Sequence, residues 1–409
     1  MHHSFATGAK TLYDDSTMTL LNDTAARFLA GLDQTGRRRS LRPMEPMPSG
    51  RVRMGGRELI NFSSNDYLGL SRHPMLVERA SRWAREFGAG CGASQLVTGH
   101  LAALEIIEAK IARAKGTEAA LVFASGWQCN ASALPALLDK ALWGVEPTVL
   151  SDRLIHASLH AGLQLSDAHS LRYRHDDFDH LEQLLTTRAD RPGPRVIVTE
   201  SVFSMDGDAT DVERLAAIAR SWNAVVYLDE AHATGVLGET GFGLSHGHDI
   251  DLAMGTFSKG LGSFGAYVAC SAAVRDTLIN RASGFIYATS LPPAVLGAMD
   301  AALDLVPSMD GERAHLRRMA SRLRATLQAE GLDTGPSSTQ IVPVILGDER
   351  RALAVAKALE GRGILGIAIR PPTVPKGTSR IRFALSSVHS EADIDVLIQA
   401  VLDAVKEVG

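Results

Sequence analysis

Five apolar runs, each closing on a polar or ionisable residue, constrain this chain more than any other feature. They are LVFAS (121–125), TVLSD (148–152), RVIVTES (195–201), AVVYLDEAH (224–232) and LAMGTFSK (252–259). The stretches between them carry helical spacing, as over 210–222. Runs apolar on both faces and joined by helices predict a largely parallel sheet covered on both sides. Ligands of such sheets bind beyond the carboxyl ends of the strands. The ends here are Ser125, Asp152, Glu200, Asp229 and Lys259, and they predict one shared site.

Around this α/β centre the pattern changes. Residues 17–34 predict an amphipathic helix through Leu20, Leu21, Ala25, Phe28, Leu29 and Leu32, with residues 1–16 polar and loose before it. Arg37–Arg39 and the prolines at 43, 46 and 48 end that helix. After Pro292–Pro293 a helical stretch (294–331) is broken at Pro307. A strand at 340–346, a helix over 349–362, the run ILGIAIR (364–370), a strand at 380–385 and a helix over 390–407 then predict a smaller α+β domain. The expected division is 1–62, 63–304 and 305–409. A chain of 409 residues has room for these cores at roughly 150 residues per domain.

Composition narrows the function classes. A net charge of −4 offers no general attraction for nucleic acid. Cys91, Cys129 and Cys270 lie far apart, which indicates neither a disulfide framework nor a metal site and suits a reducing cytoplasm. Residues 119–138 and 282–299 are uncharged but too polar, or too interrupted by proline, to span a membrane. The N-terminus lacks the basic-then-apolar pattern of a signal peptide.

Among the motifs, Asp229–Glu230–Ala231–His232 spells the D-E-A-H of nucleic-acid helicases. That reading needs a G-x-x-x-x-G-K-[ST] loop, which the sequence lacks. Gly260-x-Gly262-x-x-Gly265 matches a dinucleotide fingerprint, but AYVAC (266–270) after it predicts a strand where the fingerprint requires a helix. A lone lysine is ordinarily solvated. Lys259 closes a buried run, however, and a lysine so placed can have its pKa lowered enough to form a Schiff base. With Asp229 on another strand end the pair suits pyridoxal phosphate, which needs an amine for its aldehyde and an acid for its pyridine nitrogen. Ser125–Gly126–Trp127 opens a helix whose N–H groups suit a phosphate, or is a plain turn. His156 and His160 share a helical face without further metal ligands. His175–Asp176–Asp177 reads as a solvated loop. Arg370, Arg380 and Arg382 suit carboxylate recognition or surface ion pairs.

The blocks INFSSNDYLGLSRHP (60–74), GAGCGASQLVTGH (88–100), SDRLIHASL (151–159), VTESVFSMDGD (198–208), LDEAH (228–232), TFSKG (256–260) and IRPPTVPKGTSRIR (369–382) together resemble the α-oxoamine synthases, pyridoxal-phosphate enzymes of fold type I. The resemblance runs from about Arg37 to the C-terminus. It implies a large, mostly parallel-sheet domain with a smaller C-terminal α+β domain, and an acyltransferase joining an L-amino acid, here L-alanine, to an acyl thioester, here pimeloyl-CoA or pimeloyl-carrier protein. Sister enzymes of the family share the catalytic residues and differ in acyl group or amino acid. By the same resemblance Lys259 holds the cofactor and moves protons, Asp229 pairs with the pyridinium, His232 and Ser204 meet the ring hydroxyl, and His156 stacks on the ring. Gly126 and Trp127 lend backbone N–H groups near the cofactor, Trp127 standing where the family usually has Phe or Tyr, and Thr256 binds its phosphate. Arg370 holds the amino-acid carboxylate, Thr373 lies in the same substrate loop, Asn65 lies in the site, and Arg38 meets the acyl substrate. The expected assembly is a homodimer, with Thr289 reaching the neighbouring subunit's cofactor.

Overall fold

The computed structural model describes residues 19–409 and divides them at Met44. In the first part, Thr19 caps the helix Leu20–Gln34, its hydroxyl accepting from the Asn22 N–H at 3.4 Å. The expected positions 17 and 18 and the segment 1–16 lie outside the described residues. No residue of this helix is buried, and Leu20, Leu21 and Phe28 of the apolar stripe are exposed.

From Glu45 onward the centre is a seven-stranded sheet. Its strands, in chain order, are β1 (Ala119–Phe123), β2 (Thr148–Asp152), β3 (Ser170–Tyr173), β4 (Arg195–Glu200), β5 (Ala224–Asp229), β6 (Leu252–Thr256) and β7 (Ala266–Cys270). They lie in the order β1-β7-β6-β5-β4-β2-β3. β7 runs antiparallel to both its neighbours, and the pairs from β6 to β3 are parallel. The two-residue period of a strand sends alternate side chains to opposite faces. Val149, Val196, Val198 and Tyr227 pack under the helices Gly126–Leu138 and Ala157–Leu165. Leu150, Ile197, Val226 and Leu228 pack on the other face with Phe178, Leu181, Leu215 and Ile218.

The glycine-rich stretch after Lys259 makes a tight reversal into β7, as its sequence predicts. Gly262 has φ +62°, and a Cβ there would stand 2.4 Å from the backbone of Leu70. The C-terminal elements also form: Ile341–Gly347, Ser379–Ala384 and Ile367–Ile369 make an antiparallel sheet backed by the helices Glu349–Gly361 and Glu391–Val408. The run 364–370 divides between two sheets, because Ile364–Leu365 pairs in parallel with Ile60–Asn61 in a separate four-stranded sheet. The break falls at Gly366, where a Cβ would press on the Phe383 ring at 2.8 Å. Among the described residues no helix is long and apolar enough to cross a membrane.

A fully buried ion pair ties the layers. Lys115, at the end of the helix Ala102–Lys115, meets Glu230 just beyond β5 and donates to the Phe242 carbonyl at 2.7 Å. Glu230 also accepts from the Leu244 and Ser245 N–H groups and the Ser245 hydroxyl. Removing one partner of a buried pair leaves an uncompensated charge. Glu230→Ala is expected to lower unfolding free energy by about 3–5 kcal/mol, seen as a lower urea midpoint; an unchanged midpoint would refute this role.

Candidate active site

The carboxyl ends of β4, β5 and β6 open on a cavity of about 240 Å³. Lining it are Ser125, Gly126, Trp127, His156, Ser158, Glu200, Asp229, Ala231, His232, Met254, Thr256, Ser258 and Lys259. The strand register explains the grouping: Glu200 is level with Asp229, and Asp229 with Met254. Of the five strand ends expected to share a site, Ser125, Glu200, Asp229 and Lys259 do so. Asp152 does not, because its carboxylate is turned to His175 and the Asp176 N–H.

Two helix starts complete the walls. The Ser125 hydroxyl accepts from the Gln128 N–H at 3.2 Å, capping the helix Gly126–Leu138. First-turn N–H groups have no partner within their helix, so those of Gly126 and Trp127 are anion donors in waiting. His156 caps the helix Ala157–Leu165 and meets Trp127 edge to face, ring centroids 6.4 Å apart. Thr256 donates to the Gly265 carbonyl at 2.8 Å, and its hydroxyl lies 2.8 Å from that of Ser258.

Lys259 anchors a hydrogen-bond chain. Its Nζ lies 2.9 Å from His232 Nε2, and His232 Nδ1 lies 2.6 Å from the Tyr67 hydroxyl. Tyr67 donates to Asn65 Oδ1 at 3.2 Å, and Arg382 donates to that same oxygen at 3.2 Å. A neutral imidazole fits: Nε2 accepts from the ammonium and Nδ1–H donates to Tyr67. Burial, with Lys259 and Arg382 nearby, holds His232 well below the ordinary histidine pKa. Burial also pulls Lys259 down to about 8, against the carboxylates of Asp229 and Glu200. Burial next to Asp229 raises Glu200 well above the carboxylate range. His156 is lowered by burial and by Lys259, against the pull of Asp229.

The other expected site residues lie elsewhere. Asn65 is joined to the cavity through Tyr67. The Ser204 carbonyl accepts from Arg382, which links that residue to the same chain. Arg370 follows the strand Ile367–Ile369, and its carbonyl accepts from the Thr373 N–H at 3.1 Å. Thr289 bridges to Ser94 and lines a different, small cavity with Gln95 and Phe285. Arg38, in the part ending at Met44, pairs with Asp33 at 2.7 Å. Sequence reading gave no role to Tyr67, Asn130, Ser158 or Ser258 and left Glu200 only as a strand end. The one local signal was the position of Glu200 and Ser258 beside named motif residues.

The segment read as a solvated loop is a clamp. His175 lies 3.1 Å from Asp152 and 2.9 Å from Asp208, with its ring edge-on to Phe203 at 4.4 Å. Asp176 is exposed, as the loop reading expects, and Asp177 caps the helix Phe178–Thr187 and pairs with Arg174. Burial opposes charge on His175, but the hydrogen bonds and charges of Asp152 and Asp208 prevail and raise it to about 10. A raised folded-state pKa stabilises fully below the unfolded value of about 6.5. The stability advantage of wild type over His175→Gln is therefore expected to shrink as pH rises from 6.5 towards 10. A pH-independent difference in urea midpoints would contradict it.

A profile of the aminotransferase class I and II family matches residues 57–401. A relative in Paramagnetospirillum magneticum, provisionally named 8-amino-7-oxononanoate synthase, is 73% identical over 94% of this chain and 98% of its own length. The 8-amino-7-oxononanoate synthase of Gluconacetobacter diazotrophicus is 56% identical over 93% of this chain and 98% of its own. A solved serine palmitoyltransferase from S. paucimobilis, with pyridoxal phosphate bound as an adduct, superposes with a TM-score of 0.88 at 26% identity, covering 96% of this chain and 100% of that one. The chain belongs to the class I and II aminotransferase family and, within it, to the α-oxoamine synthases of fold type I.

Proposed function

We propose that this chain condenses L-alanine with a pimeloyl thioester, on CoA or a carrier protein, to give 8-amino-7-oxononanoate, CO2 and the free thiol in biotin synthesis. The cofactor is pyridoxal phosphate. One observation carries the reading: a lysine of lowered pKa and a buried carboxylate face the same cavity, in a chain 56% identical to a synthase of that name along nearly its whole length.

The donor set fits the cofactor. An amine, an acid, an imidazole and a helix start with two nearby hydroxyls match an aldehyde, a pyridine nitrogen, a flat ring and a phosphate. When bound, pyridoxal phosphate supplies an electrophilic carbon for an amine and a protonated ring that draws electrons from Cα. With the cofactor bound, Asp229 would keep the proton on the ring nitrogen, His156 would lie against the ring, and His232 and Ser204 would serve the ring hydroxyl. Gly126, Trp127 and Thr256 would hold the phosphate. Lys259 would hold the cofactor's aldehyde carbon and, once displaced by alanine, its neutral Nζ would take the Cα proton and later return one there. The new Cα–carbonyl bond would replace the C–S bond of the thioester, releasing the thiol, and CO2 would leave from the alanine carboxylate. Arg370 and Thr373 orient the alanine carboxylate, Asn65 borders the substrate, and Arg38 meets the acyl donor.

The assembly in this reading is a cytoplasmic homodimer to which each chain lends Thr289. Its support is apolar surface near that residue: Tyr287 is 84% exposed and Val97 is 73% exposed.

The identifying experiment is mass analysis of the product from purified protein, cofactor, L-alanine and pimeloyl-CoA, beside glycine and serine reactions. The 8-amino-7-oxononanoate mass with alanine is expected. Product only with another amino acid or acyl thioester would move the chain to a sister activity. Asp229→Asn is expected to lower kcat by roughly 10²-fold or more while keeping cofactor, and wild-type turnover would remove Asp229 from its role. Because the neutral amine is the nucleophile, cofactor capture by the apoprotein should rise about tenfold per pH unit below the Lys259 pKa of about 8 and level off above it. A capture rate flat from pH 6 to 9 would contradict the lowered pKa.

A further inference from the structure

Beside Asp229 lies a set of buried polar groups, Asn130, Tyr227 and the cavity-lining Ser158, that no step above uses. Asn130 is wholly buried in the helix Gly126–Leu138. Its Nδ2 donates to Asp229 Oδ2 at 2.8 Å and to Ser158 Oγ at 3.0 Å. Its Oδ1 accepts from the Tyr227 hydroxyl at 2.7 Å. Asp229 Oδ1 accepts from the Ala231 N–H at 2.9 Å. Ser158, Tyr227 and Asp229 are buried as well.

The sheet dictates this arrangement. Tyr227 and Asp229 are two residues apart on β5 and so share one face. The helix Gly126–Leu138 packs on that face, letting Asn130 span both side chains. Its amide has a single workable orientation. Flipping it would set Oδ1 against the Asp229 carboxylate and strip the carboxylate of a donor, which burial penalises.

We propose that Asn130, oriented by Tyr227, is a positioning residue for the reaction. It fixes the rotation of the Asp229 carboxylate and thereby directs it at the cofactor's ring nitrogen. This rests on the assignment of pyridoxal phosphate to the Lys259 cavity. Tyr227 acts only through Asn130, so the two residues work in series.

The test compares Asn130→Leu, Tyr227→Phe and the double variant with wild type, all loaded with pyridoxal phosphate. The readouts are the bound cofactor's absorbance as a function of pH, and kcat and KM for L-alanine. Asn130→Leu should shift the absorbance titration and lower kcat by roughly 10²-fold, the scale of a misdirected catalytic group. KM should stay within about twofold, because alanine does not touch Asn130. Tyr227→Phe should shift the titration in the same direction and lower kcat by less than about tenfold. In the double variant the losses should not multiply beyond those of Asn130→Leu alone. Wild-type titration and kcat in Asn130→Leu would overturn the proposal, as would losses that multiply. If Asn130→Leu does not fold, Tyr227→Phe decides alone: a shifted titration supports the proposal and an unshifted one overturns it. A wild-type protein without cofactor absorbance would overturn the assignment of pyridoxal phosphate, and this inference with it.

Discussion

Two adjacent carboxylates leave β5 in different directions, and the rest of the molecule depends on the second. Asp229 ends the strand facing the cavity. Glu230 turns away into a fully buried cage of Lys115, Ser245 and two backbone N–H groups. That cage fixes the loop after His232 and the helix Ala102–Lys115 against the sheet. Space there is tight: a Cβ at Gly243 would stand 2.6 Å from the Glu230 carboxylate. The acidic pair therefore does not act as a paired metal ligand of the helicase kind. One member serves the cavity and the other the architecture.

Around Asp229 the same burial pushes different groups in opposite directions. An amine loses its charge more readily, a second carboxyl holds its proton more tightly, and two imidazoles take one up less readily. Perturbations of this kind collect where proton transfer is required. Here they follow from the fold, since parallel strands in register set Glu200 beside Asp229.

Much of the fold was legible because it is written in short-range periodicity. The helix expected over 210–222 spans Val212–Ser221, and the one over 349–362 spans Glu349–Gly361. Gly126, Trp127, His156, Asp229, His232, Thr256 and Lys259 line the cavity from local motifs at strand ends and helix starts and so could be named in advance, whereas Ser158, Ser258 and Met254 were not. Contacts between distant residues could not. Asn65, Tyr67 and Arg382 meet across some three hundred positions, and no spacing rule announces their shared oxygen. His175 read as solvent-facing because its neighbours in sequence are acidic, while the partners that matter, Asp152 and Asp208, come from the end of β2 and from a distant loop. The run 364–370 showed as one apolar stretch, and apolarity alone does not reveal which sheet each half joins.

That divided run also sets a timetable for synthesis. The hairpin strands at Arg51–Met54 and Arg57–Asn61 are among the first described elements to leave a ribosome, yet one edge of their sheet is completed by Ile364–Leu365. At about 5–20 residues per second, the intervening roughly 300 residues take on the order of 15–60 s to emerge. For that interval the Ile60 edge has no native strand beside it, and unpaired strand edges invite association with other chains. Until Ile364 and Leu365 emerge, the nascent chain carries that strand edge without its native partner.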